Sequence, residues 1–200
     1  MEKMELIKLD VSSSILFNME FLDKDEADKL LHHMLNDIPW RQSQKSMYGK
    51  IINIPRLQCW MADADINADL YQKEPAIPWS PLVNVIRERI EKLLNCKFNY
   101  VLLNHYRNGQ DSIAPHADNE AIYPDKNVIA SLSIGATRNF TIKPKNARTK
   151  PLVTNPNMKI ALTHGSLIVM QGDTQKGWVH AIPKEPTIME PRINLTFRIA

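Results

Sequence analysis

The triplet His116-Ala117-Asp118 is the first place where residue types and spacing could do chemistry. In an extended segment residues i and i+2 point to the same side, so an imidazole and a carboxylate would converge on one point. A surface hydrogen-bonded pair would satisfy the same triplet. What sharpens it is His180, 62 residues after Asp118, inside the apolar run 177–182. Two histidines and one aspartate are the ligand set that holds Fe(II) on one face and leaves the other face open. Zinc also accepts two histidines and a carboxylate, so the ligand set alone leaves the metal undecided.

Residues 192–198 read RINLTFR. Period two sends Ile193, Leu195 and Phe197 to one face and Arg192, Asn194, Thr196 and Arg198 to the other. An ordinary strand with one wet face would show the same alternation. Two arginines with an amide and a hydroxyl on one face also form a receptor for a small dicarboxylate, because guanidinium groups bind carboxylates bidentately and keep their charge when desolvated. Asn104 and Tyr106 share a face in the same way. Together these groups suggest iron plus an anionic cosubstrate.

Several elements must position them. Asp23 followed by Glu26 has the form of a capping box, and Ala27, Leu30, Leu31, Met34, Leu35 and Ile38 recur at helical spacing until Pro39. A second helix is predicted over 81–95, capped by Ser80 and opened by Pro81. After Cys96 come short β-rich runs at 98–106, 128–134, 138–143, 158–162, 166–170, 178–182 and 192–199. Closely spaced strands without helices between them predict antiparallel sheets, hence a sandwich or jelly roll with both helices packed outside. The stretch from Trp40 to Trp60 reads as hairpin material with its tip near Met47–Lys50, where Gly49 supplies the turn.

Composition bounds the class. The 200 residues are 44% hydrophobic and 24% charged, which suits one folded domain. Two cysteines, Cys59 and Cys96, exclude a disulfide scaffold and a thiolate zinc site. The start shows no leader pattern, and no run approaches the roughly 18–20 apolar residues that span a bilayer. The expectation is a soluble intracellular protein without membrane contact, cytoplasmic if bacterial and nuclear if eukaryotic. A net charge of +3 hides two acid-free blocks. One carries Arg41, Lys45, Lys50 and Arg56, and the other carries Lys126, Arg138, Lys143, Lys145, Arg148, Lys150 and Lys159. Each alone could be a solvated face, but two in one domain suggest a polyanion such as nucleic acid.

The ordered set Asn104-x-Tyr106, His116-x-Asp118-x-Glu120, His164-Gly165-Ser166-Leu167, His180 and Pro191-Arg192-Ile193-Asn194-Leu195-Thr196-Phe197-Arg198 resembles the AlkB family of Fe(II)- and 2-oxoglutarate-dependent dioxygenases. The resemblance runs from about Trp40 to the end. Within the family it is most similar to the branch of human AlkB homolog two, which repairs double-stranded DNA, through Tyr48-Gly49-Lys50 and Pro55-Arg56. It implies a mainly β fold with flanking helices, a double-stranded β-helix (jelly roll) with an N-terminal nucleic-acid-binding hairpin region. The 1–200 domain divides into an arm and helix (1–39), substrate-recognition hairpins (40–80), a supporting helix (81–95) and the jelly-roll core (96–200).

By the same resemblance, His116, Asp118 and His180 hold iron. Arg192 pairs with the distal carboxylate of 2-oxoglutarate and Arg198 with its chelating end, while Asn104, Tyr106, Asn194 and Thr196 complete that pocket. O2 is the oxidant. The implied activity is oxidative demethylation of bases such as 1-methyladenine and 3-methylcytosine in DNA, releasing formaldehyde, carried out by a monomer on double-stranded or single-stranded substrate. The alternatives are an RNA- or protein-directed dioxygenase, or a catalytically silent nucleic-acid-binding jelly roll.

A duplex target requires base flipping. Tyr48 is expected to wedge into the gap while Arg41, Lys45 and Lys50 hold phosphates, and Gly49 and Arg56 belong to the same surface. Asn119 and Glu120 match positions that contact the lesion base. One segment departs from the family: where relatives place stacking aromatics, a gapless match puts Ala68 and Leu70, with Tyr71 one residue off. Either Tyr71 stacks from a shifted loop, or Trp60 does, or base gripping is weaker here.

Overall fold

The computed structural model describes residues 3–47, 49–66, 75–118, 128–146, 149–152 and 156–199. Among these, two antiparallel sheets face each other. The larger contains β1 (Glu5–Lys8), β2 (Ser13–Asn18), β5 (Leu57–Ala62), β6 (Tyr100–Tyr106), β8 (Ile129–Gly135), β11 (Ser166–Gly172) and β13 (Arg192–Arg198), in the order β1-β2-β11-β8-β13-β6-β5. The smaller contains β7 (Ile113–His116), β9 (Arg138–Pro144), β10 (Met158–Leu162) and β12 (Trp178–Ile182), in the order β10-β9-β12-β7. This is the jelly roll expected from the strand spacing. A separate hairpin, β3 (Gln44–Met47) with β4 (Lys50–Asn53), pairs Met47 with Lys50 around Gly49, whose φ of 74° suits a residue without a Cβ.

Both predicted helices form and cover the outer face of the larger sheet. At the start of α1 (Lys24–Asp37), Asp23 Oδ1 accepts from Glu26 N at 2.9 Å and Glu26 Oε2 accepts from Asp23 N at 3.1 Å. Such a cap is worth about 0.5–2 kcal/mol. Ser80 Oγ accepts from Val83 N at the start of α2 (Pro81–Leu94), with Pro81 in the first turn. Leu30, Met34, Ile86 and Ile90 pack on Val101, Leu195 and Phe197 in one core. A second core, with Phe140, Ile142, Leu162, Ile168 and Trp178, fills the space between the sheets. A four-residue helix, α3 (Thr174–Gly177), joins β11 to β12.

Two expectations change. The arm within 1–39 is not outside the core: β1 and β2 extend the larger sheet, with Ile15 opposite Met170 of β11. Residues 57–62, expected among the hairpins, are also a strand of that sheet, paired with β6. The His164-Gly165-Ser166 motif turns out to be a turn. Gly165 has φ 83°, and a Cβ there would sit 2.5 Å from Leu22 O. His164 Nδ1 accepts from Gly135 N at 2.8 Å while its Nε2 faces Asp28 at 3.1 Å, which ties α1 to the sheet.

Candidate active site

Strands β7 and β12 are neighbours in the smaller sheet, and their register sets His116 directly opposite His180. The two rings lie 4.3 Å apart, with His180 also stacked on Phe140. Asp118 follows two residues after the end of β7, its carboxylate 3.5 Å from His116 Nε2 and 3.8 Å from His180 Nε2. One candidate ligand atom from each residue lies within 4.8 Å of the other two.

The protonation states fit a metal. A carbonyl can only accept, so the 2.9 Å contact of His116 Nδ1 with Ala114 O puts the proton on Nδ1 and leaves Nε2 free to ligate. Burial pushes the His180 imidazole down to about 4 despite the pull of Asp118, so it is neutral at physiological pH. Burial alone would raise the Asp118 carboxyl, but Arg198, His116 and His180 outweigh it and hold it far below the usual carboxylate range. A carboxylate between two imidazoles is the donor set an Fe(II) ion needs.

Beside this set, β13 lines a cavity of about 350 Å³ with Arg192, Asn194, Thr196 and Arg198, while Ile193, Leu195 and Phe197 turn toward the helices. Arg198 Nη2 donates to Asp118 Oδ1 at 2.9 Å and Nη1 donates to Tyr100 Oη at 3.1 Å. Asn194 Nδ2 donates to Ser131 Oγ, and Thr196 Oγ1 donates to Asn194 Oδ1. Asn104 Oδ1 accepts from Arg56 Nε at 2.7 Å and Gln58 Nε2 at 2.9 Å, which leaves its amide NH2 to donate elsewhere.

Arg192 supplies the test of fit for an anionic cosubstrate. Its guanidinium is fully buried, and Nη2 donates to Ser133 Oγ at 2.8 Å. Nε and Nη1 have no hydrogen-bond partner among the described residues. Burial pushes it down to about 10, with Tyr106 opposing, so it stays charged. A buried cation with open donors fits the distal carboxylate of 2-oxoglutarate.

The structure therefore brings His116, Asp118, His180, Asn104, Tyr106, Arg192, Asn194, Thr196 and Arg198 onto one cavity, and Arg56 lines it too. Gly49 and Lys50 sit on the hairpin, whose Gln44 and Lys45 reach the same cavity. Tyr48, Ala68, Leu70, Tyr71, Asn119 and Glu120 lie outside the described residues.

Two expectations are corrected. Trp60 is 4% exposed and packs edge-on against Tyr100, so it is not available to stack on a base. Arg138, counted among the bases of the second acid-free block, is buried and paired with Glu185 at 3.1 Å.

Sequence reasoning missed Ser131, Ser133, Gln58 and Gln175. The two serines had a signal, since they alternate with Ala130, Leu132 and Ile134 and so share a face. Gln58 and Gln175 had none, because nothing in a lone glutamine reports its distant partner.

A jelly roll that gathers two imidazoles and a carboxylate beside an anion receptor defines a metal-dependent oxygenase of the 2-oxoacid type. The chain belongs to the 2OG-Fe(II) oxygenase superfamily, whose family model matches residues 15–198, and within it to the AlkB family. Its cofactors are accordingly Fe(II), 2-oxoglutarate and O2.

The chain is 38% identical over 180 residues to alpha-ketoglutarate-dependent dioxygenase alkB homolog 3 of Homo sapiens, covering 89% of this chain and 63% of that protein. It is 32% identical over 200 residues to the DNA oxidative demethylase ALKBH2 of Homo sapiens, covering 95% of this chain and 73% of that one. The chain thus spans less than two thirds of the length of the homolog 3 protein. Among solved structures, that of OsALKBH1 superposes with a TM-score of 0.59 at 17% identity, covering 92% of this chain and 97% of that chain. A 2OG-Fe(II) oxygenase family oxidoreductase from Burkholderia pseudomallei superposes with a TM-score of 0.58 at 12% identity, covering 94% and 84%. These two share the fold.

Proposed function

We propose that the protein removes alkyl groups from N-alkylated bases such as 1-methyladenine and 3-methylcytosine in DNA, with double-stranded substrate favoured. The observation that carries this reading is the shared cavity: Gln44 and Lys45 of an exposed hairpin with a basic tip open onto the space that holds His116, Asp118 and His180. A polyanion gripped by the hairpin would present a base to the metal side of the cavity. Iron with 2-oxoglutarate and O2 supplies oxidation of the N-alkyl carbon, giving succinate, carbon dioxide and a hydroxyalkyl base that releases the aldehyde.

The chain's own residues do the rest. Arg192 and Arg198 bind the cosubstrate carboxylates, Asn104 and Asn194 orient it, and the apolar side chains of Ile113, Phe140, Leu162 and Ile182 keep the cavity dry. Named relatives support the substrate class, since ALKBH2 is a DNA oxidative demethylase.

Mass spectrometry of a methylated duplex oligonucleotide, after incubation with iron, ascorbate and 2-oxoglutarate, tests the proposal. Loss of the methyl mass with matching succinate is expected, and more slowly on single strands. Succinate release stimulated only by methylated RNA or by a protein substrate would overturn it.

A further inference from the structure

We propose that Gln175 is a positioning residue for the metal site, its side-chain carbonyl holding the backbone of Asp118 and so aiming the ligand carboxylate. The inference rests on the metal reading of His116, Asp118 and His180. Strand β7 ends at His116, so Asp118 lies beyond the last residue paired with β12. Its N–H donates instead to Gln175 Oε1 at 2.8 Å, and both residues are buried.

The amide has one workable orientation. The Asp118 N–H can only donate, so it requires the oxygen of Gln175. The nitrogen, Nε2, then faces Met170 Sδ at 3.3 Å, a thioether that can only accept. Donor and acceptor are matched at both ends, and the chain Met170–Gln175–Asp118 runs from the larger sheet to the ligand loop.

Gln175 also stands five residues before His180, on α3, where Thr174 Oγ1 donates to Gln171 O. One short segment therefore supplies one ligand and steadies another. Without the bond, a buried N–H would lose its partner, and the backbone at Asp118, which sets the carboxylate between two imidazoles and Arg198, would be free to rotate. Losing a partner that orients a ligand typically weakens metal binding roughly 10–100-fold.

Titration of the metal-free protein with Co(II), read by visible absorption, tests this alongside the melting temperature of the metal-free fold. Wild type and His180→Ala set the range. Gln175→Leu keeps similar volume without an acceptor, and should weaken Co(II) binding roughly tenfold or more while the metal-free melting temperature changes little. Gln175→Glu keeps the acceptor for the Asp118 N–H but loses the donor to Met170 and should recover part of the loss, whereas Met170→Leu should show a smaller loss. Wild-type affinity in Gln175→Leu, or a Glu variant as weak as the Leu variant, would overturn the proposal. So would collapse of the metal-free fold in both Gln175→Leu and Gln175→Met, which would make the residue structural. If wild type binds Co(II) no better than His180→Ala, the metal reading itself fails.

Discussion

Strand β13 and the β3–β4 hairpin both contribute to the cavity, yet all seven residues of the strand are buried while Lys50, Ile51 and Asn53 of the hairpin are exposed. β13 is paired on both sides, with β6 and β8, whereas among the described residues the hairpin strands pair only with each other. Its polar groups therefore inherit their positions from two packed layers. Among the described residues the hairpin lacks such a frame, and its Ile51 is exposed rather than packed on the core. The contrast teaches that the metal and anion-binding side of the cavity and its hairpin side are held by different forces. Damage to one should leave the other legible.

The largest effect should come from the ligands. Replacing His180 or Asp118 by Ala removes one of three protein ligands and should abolish succinate release while circular dichroism stays native. Turnover near the wild-type level would break the comparison at its root. Next comes Arg192→Ala, which leaves an anion without its buried charge partner, a loss on the order of 2–5 kcal/mol. It should appear as a weaker apparent affinity for 2-oxoglutarate, with Arg192→Lys rescuing poorly because a point charge lacks the fork. An unchanged affinity would remove the arginine from the cosubstrate pocket.

The hairpin predicts a smaller and more selective effect. Tyr48→Ala should depress repair of duplex by about 1–3 kcal/mol in rate, the worth of one stacked ring, and repair of single strands much less. Lys50→Ala should weaken both and flatten the salt dependence. Equal losses on both substrates for Tyr48→Ala would make it a packing residue.

The smallest effect concerns pH. Unfolded histidine takes up a proton near 6.5, whereas buried His180 does so only near 4, so between these values the unfolded chain binds more protons. The metal-free fold should hold full stability above about pH 6.5 and lose it as the pH falls toward 4. Half-buried His105, also held low by desolvation, adds to the same trend. Melting temperatures across that window should fall more steeply for wild type than for His180→Gln, and parallel slopes would contradict the assignment.

Much of this was legible in advance because it depends on local rules. The cap of Asp23 with Glu26 and the alternation in 192–198 each involve neighbours in sequence. The tip at Gly49 is equally local, since its positive φ suits a residue without a Cβ. The arm was not legible. β2 reads SSILFN, without clean alternation, because it lies between β1 and β11 and Ser13 is as buried as Ile15. Nor was the bond from Arg56 Nε to Asn104 legible, a pairing across 48 residues that only the folded sheet creates. Arg138 failed for a related reason: charge counts along a chain do not distinguish a base in solvent from one enclosed by Glu185 and three carbonyl groups.

Two guanidiniums flank the ring of Tyr106, Arg138 at 5.8 Å and Arg192 at 5.1 Å from its centroid. Arg138 is answered wholly by protein, through Glu185 and the carbonyls of Asn108, Asp111 and Pro183, whereas Arg192 keeps two open donors. Among the described residues Arg192 is therefore a buried cation with Nε and Nη1 still able to donate to an anion. Any dicarboxylate that fits should act as a folding ligand, and at a hundredfold excess over its dissociation constant would add about 2.7 kcal/mol to the stability of the native state. Resistance to heat or to proteolysis would then report how much 2-oxoglutarate surrounds the protein, whether or not a damaged base is present.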